Sequence, residues 1–303
     1  MIETTMQPLP HGITLSCRAS GPKEGAPVLM FLHGFPEAAF VWDPLLEHFS
    51  KPENGGYRCI APNLRGYEKS SAPKEVEAYR SKHLVADVAA LIASQGGSIE
   101  CLIAHDWGGA PAGGRANQHP ELIEKLAIIN SPHAGTFQRE LSSNPKQQAA
   151  SSYMNFLIRP DAEELLSQND FKRLREFFLG LGAANGPNAW WTPEIEQQYR
   201  EIWQAGLTGP LNWYRATPLR PPREGDPAAA DVKLPREWLT VDVPTLVLWA
   251  MDDVALPPSL VDGLEDYVSD LRLHRIEGAT HWIVHEKPQL VIEHLTRFLL
   301  EKT

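Results

Sequence analysis

Cysteine is scarce in this sequence, and so are the long apolar runs that mark membrane proteins. The three cysteines among 303 residues, Cys17, Cys59 and Cys101, lie far apart and form no C-x-x-C pair. We therefore expect buried thiols rather than disulfides or metal ligands. No apolar run approaches the roughly 18 residues that span a bilayer, and the chain does not open with a basic segment followed by an apolar run. These absences predict a soluble cytoplasmic protein without a signal peptide.

Positive charge is also in deficit. The 28 Lys and Arg residues are outnumbered by 38 Asp and Glu residues, which gives a formal net charge of −10 at pH 7. Because no basic stripe is visible, nucleic acid is not expected as a partner. The composition does not favour disorder, since 43% of the residues are hydrophobic and a substantial core can form. The chain is long enough for one large α/β domain or for a domain plus an insertion.

The motif G-x-S-x-G is missing as well. That motif places a serine nucleophile on a sharp turn between a strand and a helix. Here the apolar run at 99–105 ends in a frame that reads Ala104-x-Asp106-x-Gly108, so the serine position holds a carboxylate. The pattern predicts a nucleophile elbow whose reactive group is Asp106.

Short apolar runs alternate with helical patterns over most of the chain. Such alternation is typical of a mostly parallel sheet with helices on both faces, and several runs are continuous enough to be buried on both sides. We therefore predict an α/β fold built on one central sheet. The predicted strands cover residues 13–17, 28–32, 57–62, 99–104, 126–130, 245–250 and 271–276.

The alternation stops between residues 134 and 235. This stretch has no buried-strand run, shows helical patterns and contains many scattered aromatic residues. Its last part, 218–235, is rich in proline and charge and is typical of a linker. We predict a core domain formed by residues 1–133 and 236–303, interrupted by a helical cap at 134–235.

Polar groups with catalytic chemistry follow three of the predicted strands. Asp106, Asp253 and His281 occur in the order nucleophile, acid, histidine, which is the chain order of the α/β-hydrolase fold. Asp252 is an alternative acid. Residues at the carboxyl ends of parallel strands meet at one edge of the sheet, so the three side chains are expected to form a catalytic triad.

Backbone N–H groups beside the elbow extend this prediction. The turn at residues 33–36 follows an early core strand, and in this architecture such a turn supplies one oxyanion donor, here Phe35. The residue after the nucleophile, Trp107, supplies the other. His33 and His105 are interpreted as structural residues, each hydrogen-bonded to a turn.

Five stretches, spread over nearly the whole chain, resemble the epoxide hydrolases of the α/β-hydrolase fold. The cap stretch Gly209–Arg215 is the most diagnostic of them. The chain departs from the family at Asn63, where Asp is more common, and at Glu68, where Gly is common. Both departures are interpreted as lying in a loop away from the chemistry. The resembling stretches are His33–Glu37, Ala61–Tyr67, His105–Gly109, Gly209–Arg215 and Gly278–Trp282.

The resemblance implies a site shared between core and cap. In that family two cap tyrosines hold the epoxide oxygen, and the resemblance places them at Tyr214 and Tyr153. It implies no metal and no organic cofactor. The expected partners are a small apolar epoxide and water, and the chain is expected to be a monomer or a homodimer. The apolar pocket is expected to be lined by Phe35, Trp107, Met154 and Trp282.

A carboxylate nucleophile fits this interpretation chemically. At an sp3 carbon a serine would form a stable ether, whereas Asp106 forms an ester that water can cleave. This predicts epoxides or alkyl halides as substrates. A halide leaves as a stable anion, but an epoxide oxygen leaves as a basic alkoxide that needs a proton. Phenols, with an ordinary pKa near about 10, can supply that proton, so the tyrosine pair favours the epoxide.

Two alternatives stay open at this point. A haloalkane dehalogenase shares the Asp106 and His281 chemistry but does not need the tyrosine pair, and its turn more often carries Asn or Glu where this chain has Phe35. The second alternative is a non-catalytic binding protein of the hydrolase fold. The intact set of Asp106, Asp253 and His281 argues against that role.

Overall fold

An eight-stranded sheet organises the protein, whose computed structural model describes residues 1–301. The strands that the sequence predicts as continuous apolar runs are buried along their whole length, as in Val28–Leu32 and Thr245–Ala250. Helices therefore cover both faces of the sheet. In chain order the strands are β1 (Glu3–Pro8), β2 (Thr14–Ser20), β3 (Val28–Leu32), β4 (Arg58–Pro62), β5 (Ile99–His105), β6 (Ile123–Ile129), β7 (Thr245–Ala250) and β8 (Leu271–Ile276).

The order of the strands is β1-β2-β4-β3-β5-β6-β7-β8. β1 pairs antiparallel with β2, and β2 pairs antiparallel with β4. The remaining pairs are parallel. The predicted mostly parallel sheet of an α/β-hydrolase fold is confirmed. Strand β1 is absent from the sequence prediction, and β2 and β6 are longer than predicted.

Alternate residues of the central strands pack into two separate apolar clusters, one on each face. Leu29 and Phe31 of β3 face a cluster with α1 and α11, whereas Met30 and Leu32 face a cluster with α2 and α3. The helices are α1 (Asp43–Phe49), α2 (Ser81–Ser94), α3 (Gly109–Gln118), α4 (Ala134–Ser143), α5 (Pro145–Ala150), α6 (Tyr153–Leu157), α7 (Ala162–Leu179), α8 (Pro193–Gln204), α9 (Thr208–Ala216), α10 (Ile283–Glu286) and α11 (Pro288–Leu300).

Helices α4 to α9 lie between β6 and β7, in the region predicted as a helical cap. Helix α7 is broken at residues 168–171, where the backbone is not helical. The cap and the first face of the sheet share one apolar cluster, which includes Met154, Phe178 and Tyr214 together with the strand residues. The boundaries at 134 and 235 stay a prediction.

The cap approaches the core closely where two glycines meet. A Cβ atom on Gly209 would lie 2.4 Å from the Cα of Gly66, and one on Gly66 would lie 2.7 Å from the Cα of Gly209. Glycine at both positions allows this backbone contact. Beside it, the indole N–H of Trp213 donates to the carbonyl oxygen of Arg65 at 2.9 Å. Helix α9, the most family-like part of the cap, is thereby fixed to the core loop.

No helix within residues 1–301 combines the length and the apolarity needed to cross a bilayer.

Candidate active site

Asp106 stands on a sharp turn between strand β5 and helix α3. Its φ is +50°, a left-handed value that is uncommon for a residue with a side chain. Such strain is typical of functional positions. A Cβ atom on Gly108 would lie 2.5 Å from the carbonyl oxygen of Leu32, so only glycine fits two residues after Asp106. The turn has the geometry of the predicted nucleophile elbow.

The carboxylate of Asp106 points into a small polar niche. The backbone N–H of Phe35 donates to its Oδ1 at 2.7 Å. Its Oδ2 lies 3.6 Å from Nε2 of His281. A Cβ atom on Gly34 would lie 2.2 Å from Oδ1, so glycine at that position leaves room for the carboxylate. The side chain is largely buried and keeps one oxygen free of backbone donors for a reaction.

His281 is joined on its other side to Asp253. Its Nδ1 lies 2.6 Å from Oδ2 of that carboxylate. Asp253 is 4% exposed and also accepts from the amide of Asn130 at 2.8 Å and from the backbone N–H groups of residues 255 and 256 at 2.9 Å. Asp252 is exposed and turns away. The structure therefore brings together Asp253, not Asp252, with His281.

The charges around His281 favour its protonated form in the free enzyme. Burial alone would lower the pKa of this imidazole, but Asp253, and to a smaller extent Asp106, outweigh burial and raise the pKa to about 9. Burial likewise opposes ionisation of Asp253, while His281 holds the pKa of that carboxyl below its ordinary value. At neutral pH the geometry thus favours an imidazolium between two carboxylates.

The two cap tyrosines lie across from Asp106. Tyr214 on α9 and Tyr153 on α6 have ring centroids 6.1 Å apart. Burial raises the pKa of both phenols, and the negative charge of Asp106 raises each further. Both groups therefore stay protonated over the ordinary pH range and can donate hydrogen bonds. The two tyrosines lie far apart in the sequence of the cap, on α6 and α9, and the fold brings their rings together.

Aromatic rings form the wall around these hydroxyl groups. Phe35 and Trp107 each pack edge-on against Tyr214 with centroids 5.1 Å apart. Phe177, which the sequence analysis missed, packs against Phe35 and Tyr153 at 6.3 Å. The pattern of helix α7 gives no signal that singles out this residue.

The other two predicted pocket residues lie deeper. Trp282 packs edge-on against the ring of His281 at 4.8 Å, and its indole N–H donates to the carbonyl oxygen of Phe177 at 3.3 Å. Met154 is buried in the same apolar cluster as Phe35. These contacts support the wall, and the roles of its residues towards a substrate stay a prediction.

The two histidines interpreted as structural differ in their partners. Nε2 of His33 accepts the N–H of Leu64 at 3.0 Å, so this residue does bond a turn. His105 instead joins two parts of the site. Its Nδ1 lies 3.1 Å from the buried carboxylate of Glu37, and its Nε2 lies 2.8 Å from the carbonyl oxygen of His281.

Glu37 and Asn130 are the site residues that sequence reasoning missed in the core. Glu37 belongs to one of the family-like stretches, yet nothing in the pattern shows that it is 1% exposed. Asn130 follows β6 just as Asp106 follows β5, and that position was the available signal. Within residues 1–301 no group of three or more His, Cys, Asp or Glu side chains is arranged to hold a metal ion.

Fold and site together define an α/β-hydrolase with aspartate at the nucleophile position. A family model described as the alpha/beta hydrolase fold matches residues 27–288. The AB hydrolase superfamily protein YfhM of Bacillus subtilis is 35% identical over 94% of this chain and 95% of its own length.

Relatives that are named as epoxide hydrolases match at a similar level of sequence identity. Epoxide hydrolase 4 of Mus musculus is 33% identical over 96% of this chain and 78% of its own length. A solved epoxide hydrolase from metagenomes of hot environments is 36% identical, with a TM-score of 0.86 over 100% of both chains. The chain therefore belongs to the epoxide hydrolase family of the α/β-hydrolase superfamily.

Proposed function

We propose that this protein is an epoxide hydrolase that converts an apolar epoxide into a vicinal diol. One observation carries the proposal: a carboxylate nucleophile at the elbow, Asp106, lies beside two cap tyrosines that stay protonated, the buried Tyr214 and the half-buried Tyr153. A carboxylate suits an sp3 carbon, and paired phenols suit a leaving oxygen that needs a proton. The family membership and the activity named for the relatives support the same conclusion.

In the first step, Asp106 attacks one ring carbon of the epoxide. A carbon–oxygen bond forms as the ring carbon–oxygen bond breaks, and the released electron pair goes to the ring oxygen. Tyr153 and Tyr214 hydrogen-bond that oxygen and supply its proton, which is the role that general acids have in the transition state. The product of this step is a hydroxyalkyl ester on Asp106.

The ester changes the electrostatics of His281. Asp106 is no longer charged, so one of the groups that raise the pKa of His281 is gone. The imidazolium can then lose its proton, which returns through solvent to the phenolate. The neutral ring is held by Asp253 at 2.6 Å and is ready to act as a base.

In the second step, His281 takes a proton from water, and the resulting hydroxide attacks the carboxyl carbon of Asp106. The oxyanion that forms receives hydrogen bonds from the backbone N–H groups of Phe35 and Trp107. The N–H of Phe35 already lies 2.7 Å from Oδ1 of Asp106. Collapse of this intermediate releases the diol and restores the carboxylate, so the net reaction adds one water to the epoxide.

The wall of the site indicates the kind of substrate. Rings of Phe35, Trp107 and Phe177 pack against one another and against the tyrosine rings, and such a surface binds apolar and aromatic groups. We therefore propose small apolar epoxides, including aryl epoxides, as substrates.

A side-by-side assay tests the proposal. Purified protein is incubated with styrene oxide and, separately, with 1-bromobutane, and released diol and bromide are measured. Diol formation that is lost in Asp106→Ala is the expected result. Bromide release without diol would identify a haloalkane dehalogenase, and neither product would identify a binding protein.

A further inference from the structure

One buried carboxylate joins the cap to the core. Oε1 of Glu37 accepts the hydroxyl hydrogen of Tyr199, which lies on cap helix α8, at 2.9 Å. The same oxygen lies 3.1 Å from Nε2 of His285 on α10. The other oxygen of Glu37 contacts His105, which in turn contacts the carbonyl oxygen of His281. A continuous hydrogen-bonded bridge thus runs from Tyr199 in the cap to His281 in the core.

The partners of His105 determine where the hydrogens of this bridge lie. Its Nε2 faces the carbonyl oxygen of His281, and a carbonyl only accepts, so Nε2 carries a hydrogen. One further proton belongs to the contact between Nδ1 and Glu37. Hydrogen bonds donated to the far oxygen of Glu37 favour its charged form and hold the carboxylate against Nδ1 of His105.

Tyr199 and His285 are the donors at that far oxygen. The hydroxyl oxygen of Tyr199 lies 2.7 Å from Nε2 of His285. Because the single hydroxyl hydrogen goes to Glu37, the one Nε2 hydrogen of His285 is shared between the tyrosine oxygen and Oε1 of Glu37. Burial opposes ionisation of Glu37, yet His105 and His285 hold its pKa well below the ordinary range. A carboxylate buried this fully needs such partners.

Two tryptophans of the loop before α8 hold these donors in place. Trp190 stacks on His285 with centroids 3.9 Å apart and ring planes 4° apart. Trp191 lies parallel to Tyr199 at 5.5 Å. Both contacts come from the cap, so the position of the cap determines whether Glu37 has its donors.

We propose that Tyr199 and His285 are positioning residues for hydrolysis of the ester on Asp106. This inference rests on the proposed function. By fixing the charged carboxylate of Glu37, the two residues hold His105 in the orientation that contacts the carbonyl oxygen of His281 and so fix the ring that activates water. Formation of the ester depends less on the bridge, because the N–H of Phe35 holds the Asp106 carboxylate and His281 acts as a base only in the second step.

The test separates the two steps in Tyr199→Phe, which loses the hydroxyl and keeps the ring. Tyr79→Phe is the matched control, since the buried Tyr79 hydroxyl donates to the carbonyl oxygen of Pro73 at 2.9 Å, outside the bridge. Each protein is mixed rapidly with styrene oxide and quenched with acid. Mass spectrometry of the peptide containing Asp106 then gives the rates of ester formation and ester decay.

We expect Tyr199→Phe to slow ester decay roughly three- to tenfold, because only part of the loss of a hydrogen bond to charged Glu37 reaches His281 through His105. Ester formation should match that of Tyr79→Phe. His285→Gln keeps an N–H donor for Glu37 and should retain more of the decay rate than His285→Leu.

Three outcomes would overturn this inference: equal slowing of both steps, decay equal to that of Tyr79→Phe, or equal rates in the two His285 variants. A wild-type protein that forms no ester at all would instead overturn the proposed function. If the wild type forms and hydrolyses the ester while Tyr199→Phe does so equally fast, only the bridge is wrong.

Discussion

The core and the cap hold their parts of the candidate site by different means. In the core, Asp253 accepts four hydrogen bonds, and Asp106 is bonded to the N–H of Phe35. In the cap, Tyr214 is held by the rings of Phe35 and Trp107 on either side. Polar partners fix the charged groups of the core, whereas packing fixes the neutral phenols of the cap.

This difference assigns the polar network around His281 and the tyrosine pair Tyr153 and Tyr214 to different steps of the proposed reaction. Hydrogen-bond donors that already point at the place where a charge develops need no rearrangement when that charge forms. The core supplies such a donor for ester hydrolysis, the N–H of Phe35. Ring packing tolerates changes of shape better than a polar network tolerates loss of a partner. Substitutions of the polar residues around His281 should therefore slow ester decay, and substitutions of the cap tyrosines Tyr153 and Tyr214 should slow ester formation.

The largest expected effect is that of His281→Gln. Without the base, ester decay should slow by about 10² to 10⁴-fold, while Asp106 still attacks the epoxide. The peptide containing Asp106 should then gain the mass of the substrate after exposure to styrene oxide. An unmodified peptide in a variant that still unfolds like the wild type would contradict the two-step route.

Tyr214→Phe should have the next largest effect, on the opposite step. Loss of one of two proton donors should slow ester formation roughly 10- to 100-fold, because Tyr153 remains. Ester decay, measured in the same single-turnover experiment, should change little. If Tyr214→Phe slows bromide release from 1-bromobutane as much as it slows epoxide opening, the reason for preferring epoxides is lost.

The pH dependence of ester decay should distinguish the ester from the free enzyme. The pKa of His281 is about 9 when Asp106 is charged. Esterification removes that charge, so the pKa falls below 9, and only the neutral ring can accept a proton. Ester decay should therefore rise with pH and reach a plateau with a midpoint below 9. Single-turnover decay rates from about pH 6 to 10 measure this; a midpoint at or above 9 would contradict it.

Strand positions follow from the sequence where strands are buried on both faces. The predicted runs at 28–32 and 245–250 have the observed bounds, because these core strands are continuous apolar segments. The run at 271–276 also has the observed bounds, although β8 is a partly exposed edge strand that contains Arg and His. Strand β1, Glu3–Pro8, alternates between half-buried and exposed residues and ends in proline. It is an antiparallel edge strand held by its pairing with β2, and no apolar run marks it.

The sequence predicts a site residue only where a chemically suitable residue follows a predicted strand. Asp106, Asp253 and His281 each come after a strand, and the sheet brings strand ends together. Glu37 was missed because its role depends on partners far away in the chain, including Tyr199, which is 162 residues away. Sequence spacing cannot indicate such contacts, since packing of the cap on the core creates them.

The smallest expected effect concerns the two family departures, Asn63 and Glu68, which lie in the core loop that faces the cap. The amide of Asn63 donates to Oε2 of Glu68 at 2.9 Å, and its oxygen accepts from the N–H of Ala39 at 2.8 Å. Glu68 has a φ of +50°, a left-handed value that glycine adopts more readily. The two departures are therefore coupled, since Asp at 63 would meet the carboxylate of Glu68.

Asn63→Asp alone should lower the free energy of unfolding by about 1–3 kcal/mol, because a hydrogen bond is replaced by two facing carboxylates. The double variant Asn63→Asp with Glu68→Gly should recover most of this loss, since glycine removes both the second charge and the backbone strain. Urea unfolding of the three proteins measures the difference, and ester formation should stay at the wild-type rate in each. A double variant no more stable than Asn63→Asp would show that the two departures are independent. A change in the rate of ester formation would show that this loop affects the step that uses Tyr153 and Tyr214.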